Sequence, residues 1–375
     1  MNVLITGGAG FIGTHLARKL LEHGHEVTVL DSFSPQIHAG KTELATDLRS
    51  HVKLIVGDVA DAEVLGVALD GIECLVHLAA ETGTGQSMYE VSRYEHTNLA
   101  GTALIYELLA KGKAKDVQRV VVASSRAIYG EGAYRCVRHG IVYPSARSSD
   151  EKRSGLFDLV CPACGEGCEM APTPESAPLK PTSFYGLTKQ VQEQLVLMFG
   201  NVLGIPSFAL RYQNVYGPGQ SLNNPYTGIL AIFSNLARAG KPIQIFEDGR
   251  ESRDFVYVED VVRATVACLS PQLSGCEAIN IGSNERASVM EVASEINAFF
   301  GNASEVKLTG AFREGDIRHG MADLSKAREL LGYEPKWKFP GGLQRFLNWA
   351  MTNELSEDHY EESLLEMKQR GLMLD

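Results

Sequence analysis

The chain has 375 residues, 44% of them hydrophobic and 22% charged, and a formal net charge of -11. That is enough for one large α/β unit, or two closely joined ones, with a sizeable core. The acidic balance excludes a general affinity for nucleic acid or anionic membrane, because phosphate-rich partners need a basic face, while leaving room for a small phosphorylated ligand in a local pocket. No apolar run is long enough to cross a membrane, and the start, MNVLITGGAG, lacks the basic region of a signal peptide. The expected location is cytoplasmic, where cysteines do not usually form a disulfide scaffold.

In chain order, an apolar strand at 3–5 leads through glycines into a helix at 11–23, and a second strand at 27–30 ends at Asp31. Further buried strands are predicted at 53–56, 74–78 and 120–123, with helices at 63–69 and 98–111 between them. Short apolar strands alternating with amphipathic helices predict a Rossmann-type, doubly wound parallel sheet covered on both faces. Residues 133–182, rich in Ser, Pro, Gly and Cys, break the rhythm as an insertion. The α/β pattern resumes with a helix at 185–203 and a strand at 208–210. Beyond it come strands at 243–246 and 278–281 and helices at 261–269, 289–300 and 343–350, then a charged helical tail. The expected organisation is a dinucleotide-binding domain at 1–210 carrying a cysteine-rich insertion at 133–175, a smaller substrate-binding α/β region at 211–350, and the tail at 351–375.

Gly7, Gly10 and Gly13 follow the first strand and open the first helix. A dinucleotide needs that arrangement: a tight turn, close approach of backbone to pyrophosphate, and a helix N-terminus facing the anion, with Phe11 and Ile12 in the turn. Asp31 can accept from both ribose hydroxyls and would repel a 2′-phosphate, so NAD is expected over NADP. Asp58, followed by Val59, is placed either against the adenine or as a turn residue. The small residues after His77, in Leu78-Ala79-Ala80, let a cofactor lie close to the backbone. Tyr185 and Lys189, four apart on one helix face, form a base in which the lysine ammonium is expected to lower the phenol pKa. A hydroxyl from Ser124 or Ser125, at the end of a strand, can hold a substrate oxygen.

The segments TGGAGFIG, HLAA, NLAGT, SSRAIYG, YGLTK, RYQNVYGPG and RDFVYVED resemble the extended short-chain dehydrogenase/reductase family, which contains nucleotide-sugar epimerases, dehydratases and decarboxylases. The resemblance covers residues 1 to about 350. It implies Tyr185 as base, Lys189 as its helper, Ser125 as the substrate hydroxyl, and Asn98 among the cofactor contacts. It further implies that Asn214, Arg253 and Arg313 reach the nucleotide diphosphate. Dehydratases of the family carry Asp-Glu after the catalytic Ser/Thr, where this chain has Arg126 and Ala127, so dehydration is not expected and a nucleotide-sugar epimerase is. Segments 83–90, 223–233 and 245–255 are most similar to bacterial dTDP-L-rhamnose 4-epimerases. That resemblance places Gln86, Ser87, Asn224, Thr227, Gln244, Phe246 and Asp316, with Ser125 and Arg126, on the substrate side, and implies a homodimer. The alternatives are a 4-ketoreductase, a 2-epimerase, or a regulator that binds NAD without turnover.

Two pieces of the insertion share one pattern, Cys136-x-x-His139-Gly and Cys161-x-x-Cys164-Gly. Each lets two ligands reach one metal, so a closed structural zinc site is expected, with Cys168 able to replace His139.

Overall fold

Seven short strands lie side by side in one sheet, in the spatial order Cys276–Ile281, Ser207–Tyr212, Arg119–Ser125, Cys74–His77, Asn2–Thr6, Glu26–Asp31 and Val52–Val56. Every pairing in it is parallel. The computed structural model describes residues 1–38, 40–222, 224, 226, 228–353 and 360–374. Alternation along each strand feeds two cores. Val3 and Ile5 join one with Cys74, Val76, Val121, Phe208 and Leu210, while Leu4, Leu75, Val120, Val122 and Ala209 join the other. Each fully buried Val, Leu or Ile contributes about 1.5–3 kcal/mol, and covering both faces is why these strands read as nearly continuous apolar runs. The expected doubly wound class is the observed one, although its outermost strand, Cys276–Ile281, comes from late in the chain.

The first helix, Phe11–Glu22, buries Gly13, Leu16, Ala17 and Leu20, one helical face. The long helix Phe184–Leu203 starts at Ser183, whose hydroxyl accepts from the Gly186 N–H, and stops at Gly204 in the left-handed conformation. Three departures from the expected elements bear on the site. The stretch read as a helix from Asn98 begins as a π-turn, Glu95–Ala100, before the α-helix Gly101–Ala110; such widened turns cluster at functional positions. An additional helix, Ile229–Arg238, buries Leu230, Phe233 and Leu236. The C-terminal helix Tyr360–Gln369 is followed by a strand, Met373–Leu374, antiparallel to Phe312–Arg313.

The insertion builds its own small antiparallel sheet from Tyr134–Cys136, Gly140–Val142 and Glu169–Met170, plus a helix, Ser149–Arg153, with a Ser148/Glu151 capping box. It is fastened to the body by ion pairs, those of Arg147 buried on both sides and that of Asp158 with an exposed carboxylate. Arg147 bridges Glu131 at 3.2 Å and Glu247 at 2.7 Å, and Asp158 pairs with Arg318 at 2.8 Å. Among the described residues no helix is long and apolar enough to cross a membrane.

Gly13 tests how tightly the glycine turn is built. Gly→Ala inside a helix normally stabilises by about 0.5–1 kcal/mol, but a Cβ here would lie 2.5 Å from Gly8 Cα and 2.7 Å from the Gly7 carbonyl oxygen. Gly13→Ala should therefore destabilise by roughly 1–3 kcal/mol, the range for overpacking. Urea unfolding measures it; a stabilised variant would show that the turn has room.

Candidate active site

The carboxyl ends of the sheet strands open onto a cleft of about 1520 Å3. Gly7, at φ +68°, sits where a Cβ would fall 2.7 Å from the Ala79 nitrogen, so only glycine lets the first turn lie flat on the Leu78–Ala80 segment. The helix beginning at Phe11 has Gly10 at its N-cap and no side-chain cap, which leaves its first N–H groups facing the cleft. Asp31 is buried and accepts from the Ala9 N–H at 3.0 Å and the Phe33 N–H at 2.9 Å, with His38 Nε2 3.2 Å away. A carboxylate has lone pairs beyond those contacts for a diol. Arg18 and Arg49 also line the cleft but are paired with Asp47 and Glu43. A glycine cradle that a Cβ would fill, an uncapped helix and a buried carboxylate at the end of the second strand together fit the pyrophosphate and ribose of NAD.

Gly7, Gly10, Phe11, Ile12, Gly13, Asp31, Asp58, Val59, Leu78, Ala79 and Ala80 all line this cleft. Asp58 is at once a wall residue and a turn former, accepting from the Ala60 N–H at 2.8 Å. Asn98 is a correction. It is fully buried behind the wall, where its amide exchanges hydrogen bonds with the Glu81 backbone at 2.8 and 3.1 Å and donates to Thr188 Oγ1 at 3.0 Å. Its side chain holds the loop after Ala80 in place and does not reach into the cleft.

Ser125, Tyr185 and Lys189 line the same cleft. Ser124 donates to Glu193 at 2.6 Å and is thereby turned aside, whereas the Ser125 hydroxyl approaches the Tyr185 phenol. Lys189 Nζ donates to the Ala123 carbonyl and to Gln192 Oε1, both at 2.8 Å. Gln192 in turn donates from Nε2 to His77 Nε2 at 3.0 Å and Thr102 Oγ1 at 2.7 Å. Burial lowers the Lys189 ammonium pKa to about 7. The expected effect of that ammonium on the phenol needs correcting. Burial raises the Tyr185 pKa, and the opposing influences are the Ser125 hydroxyl and the positive charge of Arg126. With Lys189 turned toward Ala123 and Gln192, the guanidinium one residue past Ser125 is the charge that favours the phenolate.

The sequence-predicted substrate residues divide. Asn224 lines the large cleft. Arg126 donates from Nε to Asn214 Oδ1 at 2.8 Å, and its charge is felt at Tyr185 and Asp316. Arg313 and Asp316 line a smaller cavity, and the Arg313 guanidinium lies 4.7 Å above the Phe246 ring centroid, with its Nε buried and without a partner among the described residues. Arg253 donates to the carbonyls of Ser252, Ile317 and Arg318 and to Asp316 Oδ1 at 2.7 Å. Both Nη groups of its fork are therefore engaged in holding the 316–318 segment. Gln86 is buried in a reciprocal amide pair with Gln36, at 2.9 and 3.0 Å, and does not face a sugar. Ser87, also buried, accepts from the Tyr185 N–H at 2.9 Å and so positions the start of the Tyr185 helix. Gln244 is solvent-exposed on a short strand, and Thr227 lies outside the described residues. Sequence reasoning missed Gln192, whose i+3 spacing from Lys189 was the available signal. It also missed His77 and Thr102 beneath it.

In the insertion, Cys136 Sγ, His139 Nδ1, Cys161 Sγ and Cys164 Sγ lie within 4.8 Å of one another. Cys136 and Cys164 are 3.7 Å apart, and His139 Nδ1 is 3.6 Å from Cys136 and 3.4 Å from Cys161. Cys168 is not one of these four, yet its thiol faces those of Cys136 and Cys161 as well as the Glu166 carbonyl.

Residues 3–143 and 160–282 match the NAD dependent epimerase/dehydratase family. The chain belongs to this family. As its motifs anticipated, it is an NAD-dependent enzyme of the extended short-chain dehydrogenase/reductase type, and the family match is interrupted inside the insertion. The epimerase is 39% identical over 350 residues to a dTDP-L-rhamnose 4-epimerase of Burkholderia thailandensis, covering 92% of this chain and 94% of that one. Among solved structures it is similar to a UDP-glucose 4-epimerase of Thermotoga maritima with UDP-glucose, with a TM-score of 0.75 and 30% identity over 94% of this chain and 99% of that chain. It is also similar to MoeE5 in complex with UDP-glucuronic acid and NAD, with a TM-score of 0.74 and 29% identity at the same coverage.

If Asp31 selects the cofactor, Asp31→Ala should weaken NAD binding by about tenfold or more, the scale of losing a charged hydrogen-bond acceptor, and narrow the preference over NADP. Titration of the cofactor-stripped epimerase with both dinucleotides measures this, and an unchanged preference would assign discrimination elsewhere.

Proposed function

We propose that this epimerase inverts C4 of a nucleotide sugar through a transient 4-keto sugar, and that its substrate is dTDP-L-rhamnose, interconverted with dTDP-6-deoxy-L-talose. One observation carries the reading: Ser125, Tyr185 and Lys189 converge on the cleft that Asp31 closes at its other end, and the chain has Arg126 and Ala127 where a dehydratase needs a further acid and base. The MoeE5 complex with NAD supports the cofactor. The Burkholderia relative supports the sugar, while the Thermotoga structure, with UDP-glucose, supports the broader class of nucleotide-sugar 4-epimerases.

NAD, when bound, supplies a reversible hydride acceptor beside the sugar carbon. Ser125 donates a hydrogen bond to the C4 oxygen. The Tyr185 phenolate would take the C4 hydroxyl proton as that carbon is oxidised and give it back when the carbon is reduced, so the proton is conserved over the cycle. The Arg126 charge and the Ser125 hydroxyl offset part of the burial that raises the phenol pKa, and Lys189, fixed by Gln192 and the Ala123 carbonyl, would orient the nicotinamide ribose of bound NAD.

We infer also that the insertion holds one structural zinc. Tetrahedral coordination with bonds of about 2.3 Å to sulfur and about 2.0 Å to nitrogen sets ligand separations of about 3.8 Å for two sulfurs and about 3.5 Å for sulfur and nitrogen. The Cys136–Cys164 distance of 3.7 Å and the two histidine–sulfur distances of 3.4 and 3.6 Å match both. The insertion reaches the substrate side through Lys152, which donates to the Arg313 carbonyl, and Arg147, which donates to that of Asp316.

Tyr185→Phe should lower turnover of dTDP-L-rhamnose by about two to four orders of magnitude, as expected for loss of a general base, while nucleotide-sugar binding persists. NMR of a dTDP- and UDP-sugar panel without added cofactor tests the substrate; turnover near wild type in the variant would overturn the role of Tyr185. For the metal, elemental analysis should find near-stoichiometric zinc. Cys161→Ser/Cys164→Ser should lose it, become protease-sensitive between 133 and 175, and show weaker substrate affinity with NAD content retained. A metal-free wild-type protein with a protease-resistant insertion would refute the site.

A further inference from the structure

A second, smaller cavity is closed by a part of the chain remote in sequence. A cavity of about 20 Å3 separates Arg313, Asp316, Thr84 and Tyr226 from Met367 and Leu372 of the C-terminal segment. Several independent contacts hold that segment there. Glu366 Oε2 accepts from the Tyr89 hydroxyl at 3.0 Å and from the Tyr226 hydroxyl at 2.8 Å. Arg370 pairs with the other oxygen of Glu366 at 3.0 Å and lies 4.0 Å above the Tyr89 ring centroid. Met367 Sδ packs against Gly85 so closely that a Cβ there would fall 3.1 Å from it. The Glu314 N–H donates to the Leu372 carbonyl at 2.9 Å, Met373–Leu374 pairs with Phe312–Arg313, and Arg313 donates to the Tyr360 hydroxyl.

These contacts fall on the two segments that frame the substrate side. The 312–316 segment carries Arg313 and Asp316. The 83–89 loop leads directly to the base: the Thr84 carbonyl accepts from Ser87 Oγ, which accepts from the Tyr185 N–H. A space of about 20 Å3 holds roughly one water molecule, not a nucleoside diphosphate.

We propose that residues 360–374 form the outer wall of the nucleotide-sugar pocket, and that Glu366 is a positioning residue that seats the wall on Tyr89 and Tyr226. The wall yields as the nucleotide sugar enters and re-forms against it, so Glu366 controls how tightly that ligand is held. The inference rests on the nucleotide-sugar reading of the cleft.

The test uses the full-length enzyme. Glu366→Ala should raise KM for the nucleotide sugar by about tenfold, the scale of losing hydrogen bonds to a charged acceptor, with kcat changed less than KM and NAD content unchanged. Glu366→Gln keeps an acceptor oxygen and should recover most of the affinity. Tyr89→Phe/Tyr226→Phe, which leaves the tail sequence intact, should reproduce the KM effect. Hydrogen exchange of 360–374 should slow when dTDP or UDP is added. Unchanged KM in both Glu366→Ala and the tyrosine pair would overturn the proposal, as would exchange of 360–374 indifferent to either nucleotide. A wild-type protein that turns over no nucleotide sugar would instead remove the epimerase reading, and the exchange measurement would then decide the wall by itself.

Discussion

Lys189 is buried, and the arrangement around it follows from satisfying its hydrogen-bond donors. One goes to the Ala123 carbonyl and one to Gln192 Oε1. Because an ammonium has no acceptor, the Gln192 oxygen must face it, which turns the amide nitrogen to His77 Nε2 and Thr102 Oγ1. His77 Nε2 is then an acceptor, so the network assigns the ring proton to Nδ1, which meets Thr6 Oγ1 at 2.7 Å. Burial pushes the His77 pKa down to about 3, so the imidazole stays neutral and the chain of bonds keeps one orientation at ordinary pH. Thr6 ends the strand before the glycine turn. One polar thread thus ties the cofactor turn to the helix of Tyr185, and a loosened link would be felt at both.

That thread explains which parts of the site could be read in the sequence. The strands, the glycine turn, Asp31 and the Tyr185/Lys189 pair were legible because each is set by local period or spacing: burial on two faces, a turn that admits no Cβ, two side chains one helical turn apart. The insertion's ligand pattern was legible for the same reason, being two short repeats. For Gln86, Ser87, Arg253 and Asn98 the local sequence does not say which protein groups a polar side chain also meets. Their partners, Gln36, the Tyr185 N–H, the 316–318 backbone and the Glu81 backbone, are fixed by tertiary contacts. The tail was read as a charged helix from its composition, and nothing local in Glu366 points to tyrosines 277 and 140 residues away.

The segment 312–318 is held by two elements outside the Rossmann core. From one side the insertion holds it through Lys152, Ser149 and Arg147. From the other side the C-terminal strand pairs with it edge to edge. Arg253 then pins the middle from within the body. A short segment with little regular structure of its own gains a fixed backbone in this way, which is what a binding surface requires if its side chains are to be preorganised.

The ion pairs beneath the insertion make its seating and the integrity of the body depend on each other. Arg147 comes from the insertion, whereas Glu131 and Glu247, its partners, lie outside the 133–175 stretch and are almost entirely sealed from water. Burial already raises the Glu131 pKa even with the guanidinium alongside. Loss of the Arg147 guanidinium would leave Glu131 with the Arg318 N–H as its hydrogen-bond donor among the described residues, whereas Glu247 would keep the Arg318 guanidinium at 3.3 Å; breaking a buried pair by removing one partner costs about 3–5 kcal/mol. The insertion and the body are therefore coupled in stability, most strongly through Glu131.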